Sequence, residues 1–170
     1  MSPLFDDEFD LNRIIIKPLY FGMAVNVLIP MGLLVVCYYF DRQQTLSNRI
    51  PEMAETLFWV LGGVSVAQAG VALWLRNKVM HQPMIRRKET FEDYLIDFMS
   101  SKSKSIFLII AGIVLYGILY FYLTAQFEPL LFFVIFSFFA FQVVRPRFGF
   151  LRKVIARQKE LVEQGSFRRD

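Results

Sequence analysis

Four long stretches without a charged side chain limit this chain most: Pro18 to Phe40, Thr56 to Leu75, Ser105 to Phe127 and Pro129 to Val144. They contain 23, 20, 23 and 16 residues. A hydrocarbon core of about 30 Å takes roughly 20 residues of helix at about 1.5 Å per residue, so the first three are long enough to cross it. The third must hold a span and a turn. The fourth reaches only about 24 Å and is expected to recruit Phe127 and Glu128 or to thin the bilayer locally. Backbone amides in hydrocarbon must be satisfied within the segment, which selects helices, and no stretch shows the alternating polarity of a membrane barrel. Turn signals at Asn48 to Pro51 and at Glu128-Pro129 part the first run from the second and the third from the fourth.

The sequence therefore predicts an all-α, polytopic integral membrane protein with four transmembrane helices in two hairpins. Its expected divisions are an acidic tail (1–17), a first hairpin (18–75), a connection (76–104), a second hairpin (105–144) and a basic tail (145–170). Composition agrees: 55% of the 170 residues are hydrophobic and 20% charged, against about 45–50% and about 25% in soluble domains. A single cysteine, Cys37, excludes a disulfide scaffold and reads as a packing residue. No internal repeat relates the hairpins.

Of the 19 Lys and Arg residues, 17 fall in the two tails and the 76–104 connection, while only Arg42 and Arg49 fall in the hairpin tips. The positive-inside rule then places both termini in the cytoplasm, in the cytoplasmic or inner membrane. The same pattern also suits an organellar inner membrane. The acidic start (Asp6, Asp7, Glu8, Asp10) and the length of the first run argue for a retained anchor over a cleaved signal peptide.

No Asp, Glu, Lys, Arg or His lies inside a run, which argues against a proton-coupled transporter, a rotor-type proton carrier and a voltage sensor. One Cys and one His, His81, far apart, offer no metal or haem site, and no cofactor is expected. No nucleophile with a base, no carboxylate pair and no phosphate-cradling loop is found, so the chain is read as non-enzymatic.

Neutral polar residues remain in the runs. Asn26, Gln68 and Ser137 lie eight, seven and about seven residues from the inner ends of their helices, hence in one layer about 10–12 Å deep. Pro30 lacks an amide hydrogen and frees the carbonyl of Asn26, so the first helix should bend there. The expected arrangement is an Asn26–Gln68 hydrogen bond gluing the first hairpin, with a polar permeation layer as the alternative. Gly63 and Ala67 form a small-residue face, and Gly112 marks another. Six phenylalanines surround the fourth helix, so some must meet lipid or another subunit. Tyr38, Tyr39, Trp59, Trp74, Tyr120 and Tyr122 read as interfacial anchors.

Between the hairpins, Thr90 and Asp93 resemble a capping box. Phe91, Tyr94, Leu95, Phe98 and Met99 follow at helical spacing, a short acidic amphipathic helix after Arg86-Arg87-Lys88. It is expected to rest on the protein's own inner surface, or else to contact a partner. The tail from Arg145 and Arg147 interleaves Leu151, Val154, Ile155, Leu161 and Val162 with Arg152, Lys153, Arg157 and Lys159, a pattern suited to an anionic membrane surface. Nucleic acid is not an expected partner; the bilayer and other membrane subunits are.

The segment Leu123 to Pro146, with Glu128-Pro129 opening an apolar run that closes on Gln142 and Pro146, resembles the last hairpin of the small accessory protein I encoded with bacterial ATP synthases. The resemblance covers about 24 residues closely and the rest in layout alone. The family's Pro-Asn pair is replaced by Gln68-Ala69, and its acidic residue near the third helix is absent. It implies two hairpins and a part in assembling the membrane rotor ring or in cation handling. The residues themselves point to a structural subunit or assembly factor of a larger membrane complex, with a small oligomeric channel or transporter as the alternative. A lipid-modifying enzyme ranks third, with only His81, Glu128 and Asp41 as interfacial ionisable groups.

Overall fold

The computed structural model describes residues 11–44, 46–47, 49–85 and 91–167. The helices are α1 (Leu11–Met23), α2 (Ile29–Arg42), α3 (Ala54–His81), α4 (Phe91–Thr124), α5 (Phe127–Val144) and α6 (Phe148–Glu163). A π-helical turn at Ala24–Leu28 joins α1 to α2, and a 3₁₀ turn at Pro51–Met53 precedes α3. No strand occurs among the described residues. Four segments are long and apolar enough to cross a membrane: Ile16–Arg42, Pro51–Val79, Tyr94–Thr124 and Phe127–Val144.

The first span holds the expected irregularity at Pro30, in a specific form. Asn26 has no amide four residues ahead to receive, and the Ile29 amide donates to the Ala24 carbonyl five residues back. The helix thus widens by one residue ahead of the proline. The fourth span recruits Phe127 and Glu128, which open α5.

α4 is the central helix, packed against α1, α3 and α5. Its buried side chains Ile106, Phe107, Ile110, Ile113 and Val114 form the core with Ala72, Phe133 and Phe141 from its neighbours. Two glycines permit close approach: a Cβ at Gly22 would meet Phe141 at 2.6 Å and Phe107 at 2.8 Å, and one at Gly117 would meet Phe133 at 2.9 Å. The aromatic excess on α5 divides as its periodicity requires. Phe133 and Phe141 are buried, whereas Phe132, Phe138 and Phe139 face outward. Cys37 packs with Val114, Phe121, Leu130 and Val134, as a small apolar residue would.

The connection between the hairpins is mostly helix. α3 continues six residues beyond Leu75 to His81, and the amphipathic segment is no separate short helix but the first turns of α4. The physical reason is continuity: no glycine or proline lies between Phe91 and Ala111 to end the helix before the span. Asp93 lies in the first turn of α4, while Thr90, the expected cap, and the run Arg86 to Lys88 lie outside the described residues.

The basic tail is the larger correction. α6 does not present its apolar stripe to a membrane surface. Leu151, Val154, Ile155 and Val162 are buried against Met84, Ile85, Phe91, Leu95 and Met99, forming a small core beyond the uncharged runs. A stripe that fits lipid fits another apolar stripe equally well, and here one was available on α4. Arg152 and Lys153 project outward from this lobe.

At the opposite end, the two hairpin connections meet. The Arg49 amide donates to the Leu123 carbonyl at 2.9 Å, and its guanidinium donates to the Tyr122 hydroxyl at 2.9 Å. Tyr38, Tyr39, Trp59, Trp74 and Tyr122 are outward-facing as interfacial anchors should be. Tyr120 is not: it is 2% exposed, and its hydroxyl donates to the Gln126 side chain at 3.1 Å. Its ring packs on Phe58 with centroids 6.0 Å apart, which removes it from lipid.

Candidate functional site

The polar layer is present, but its wiring differs from the expected pair. Asn26 and Gln68 do not bond to each other. Asn26 donates through Nδ2 to the carbonyls of Gly22 at 3.1 Å and Phe107 at 3.3 Å. Gln68 donates through Nε2 to the carbonyl of Ile109 and accepts from the Tyr116 hydroxyl at 2.7 Å. Ser137 donates through Oγ to the carbonyl of Ile110 at 3.2 Å.

Three side chains from three different spans therefore converge on carbonyls 107, 109 and 110 of α4, a segment about 4.5 Å long. These carbonyls already serve α-helical bonds, and each has a second lone pair to offer. Helices in lipid gain little from apolar association, so such bonds fix register and azimuth at about 0.6–2 kcal/mol each. Gly112 belongs to the same arrangement, because the Gln68 amide occupies the space a Cβ would fill. Asn26 is 1% exposed, and its Oδ1 has no hydrogen-bond partner.

Gly63 and Ala67 take no part in packing α3 onto α4. Both are exposed, together with Gly70, and nothing lies within 4 Å of a Cβ built at Gly62, Gly63 or Gly70. Beside them runs an apolar groove between α3 and α5, about 290 Å³ in volume, floored by Gly62 and Gly63 and walled by Trp59, Phe132 and Phe136.

The residues expected at the inner surface sort into two groups. Phe91 and Leu95 are buried in the lobe, and Tyr94 and Phe98 are half-buried, their rings stacked with centroids 6.4 Å apart. Arg145 is half-buried, while Arg147, Arg152 and Lys153 are exposed.

Sequence reasoning missed Gln158. Fully buried, it accepts from the Met84 amide at 2.9 Å and donates to the Gln82 carbonyl at 3.0 Å, holding the chain after α3 against α6 as a neighbouring backbone would. The signal was a polar residue at a stripe position between Ile155 and Leu161. Arg76 was missed too: it donates to the Val143 carbonyl at 2.7 Å and stacks over Phe150 at 4.3 Å, tying α3 to the α5–α6 junction.

Fold and layer together define a class: a polytopic membrane protein of four apolar helices, assembled around α4 and carrying a helical lobe on one face. No family model, no curated protein and no solved structure matches the chain. No group of three or more His, Cys, Asp or Glu suited to a metal ion occurs among the described residues.

Proposed function

We propose that this chain is a non-enzymatic subunit or assembly factor of a larger membrane complex, holding a partner helix against α3. The observation that carries the reading is the outward face of Gly63, Ala67 and Gly70 beside the α3–α5 groove. Residues at these spacings share one side of a helix. Small side chains there contribute little contact with lipid and allow another backbone to approach closely. The aromatic walls at Trp59, Phe132 and Phe136 offer area on either side of that approach.

The polar layer supports this reading over a channel. Asn26, Gln68 and Ser137 direct their donors to α4 carbonyls, as side chains that hold a bundle together do. The excess of Lys and Arg on the tails and the 76–104 connection supports a cytoplasmic side for the α6 lobe, in an inner membrane. The resemblance over Leu123 to Pro146 makes a rotary ATP synthase the first complex to examine.

The test is purification of the full chain in gentle detergent, with identification of the membrane proteins that accompany it. Gly63→Leu combined with Gly70→Leu should release the partner while the melting temperature of the purified chain is unchanged. A monodisperse chain with no companion would sink the proposal. Ion or solute flux in liposomes would then favour the channel reading.

A further inference from the structure

Where α3 leaves its apolar run and α4 enters its own, two adjoining hollows share the walls Val79, Lys102 and Ile106. The larger, about 180 Å³, is lined by Leu75, Lys78, Gln82, Phe98 and Ser105 as well. The smaller adds Arg76, Ser103 and Phe150. The larger hollow has room for several waters, or for a small polar headgroup.

The charge around it is one-sided. Lys78 lies over the Trp74 ring at 4.8 Å, Lys102 over Phe98 at 5.5 Å and Arg76 over Phe150 at 4.3 Å. Among the described residues none of the three forms an ion pair, and the salt bridge seen there is Arg157–Glu160, on the surface of α6. Arg147 adds a further positive charge within electrostatic range of Arg76. Asp97, the nearest described carboxylate before Lys102 along α4, is five residues away, about 140° around the helix, and lines neither hollow. The Arg76 Nε is buried without a hydrogen-bond partner.

The floor is apolar and continues toward the uncharged runs of α3 and α4. Leu75 and Ile106 bound the hollow on its membrane side, and exposed Leu108 and Val71 lie further along the same two helices. Cations at the polar rim with aliphatic walls beneath match an amphiphile whose phosphate sits at the interface and whose chains run into hydrocarbon.

We propose that this hollow binds the phosphate of an anionic phospholipid, held between Lys78 and Lys102 with Arg76 behind them, its acyl chain lying against Leu75 and Ile106. The inference does not depend on the subunit reading.

The experiment uses the full chain in nanodiscs of phosphatidylcholine with phosphatidylglycerol titrated in, followed by native mass spectrometry of retained lipid. Phosphatidylglycerol should be retained in preference to phosphatidylcholine. Lys78→Gln with Lys102→Gln should weaken its retention about thirtyfold, since each juxtamembrane cation contributes about fivefold in affinity. Arg152→Gln with Lys153→Gln removes the same charge from α6 and should leave retention intact, and Lys78→Arg with Lys102→Arg should preserve it. Both glutamine pairs replace exposed side chains, and unchanged melting in lipid-free detergent checks that they fold. Equal loss from the two glutamine pairs, or no preference over phosphatidylcholine, overturns the proposal. Inorganic phosphate that competes fully with the lipid would assign the hollow to a soluble phosphate ligand and overturn the lipid as its occupant.

Discussion

Gly112 leaves the space that Gln68 fills: a Cβ on Gly112 would stand 2.6 Å from the Gln68 Nε2 and 3.8 Å from its Cδ. The glycine on α4 and the amide on α3 are thus one device. A flexible side chain can swing away from a new methyl group, so the cost of filling that space is the hydrogen bond to Ile109 rather than a steric wall. Gly112→Ala should destabilise the chain by about 1–2 kcal/mol. In a Gln68→Leu background the same substitution should cost much less, and a double-mutant cycle on detergent-solubilised protein measures the difference.

Gly22 presents the opposite case. Its missing Cβ would collide with the rings of Phe141 and Phe107, which are fully buried and cannot swing out. Gly22→Ala should cost about 1–3 kcal/mol by overpacking, and pairing it with Phe141→Leu should recover part of the loss. Thermal unfolding of the two variants side by side settles the point.

Gln158→Leu should loosen the lobe. The Met84 amide and the Gln82 carbonyl lose their partner, at about 1–3 kcal/mol for a buried donor left unmade. Hydrogen exchange at Met84 and Ile85 should accelerate while exchange within Ile106 to Val114 is unchanged, because those residues belong to separate clusters.

The Arg157–Glu160 pair, at 2.6 Å, is half exposed on both sides. Arg157→Ala should change stability by less than about 0.5 kcal/mol. A larger loss, read from the melting temperature, would mean that the pair is coupled to groups beyond α6.

The spans were legible in the sequence because hydrocarbon imposes a requirement readable one residue at a time: no charge for some twenty positions. The depth of Asn26, Gln68 and Ser137 was legible for the same reason, since distance along a helix is counted in residues. Their partners were not. Depth fixes a level but not a bearing, and only the packed bundle shows that all three turn toward α4 and that Asn26 and Gln68 do not turn toward each other. Tyr120 failed as an anchor on the same ground, being at the right height on the wrong side. The stripe on α6 was found correctly and matched to the wrong surface, because lipid and the Phe91–Leu95–Met99 stripe ask for the same pattern. Gly63 and Ala67 were found as a small face, with nothing to tell whether it would turn inward or outward.

The 34 residues of α4 make a rod of about 51 Å, some 20 Å longer than the hydrocarbon it crosses. Its first turns are gripped by α6, and its far end carries the Leu123 carbonyl that accepts from the Arg49 amide. With no glycine or proline between Phe91 and Ala111, lobe and span share one unbroken helix, so the orientation of the one fixes the orientation of the other.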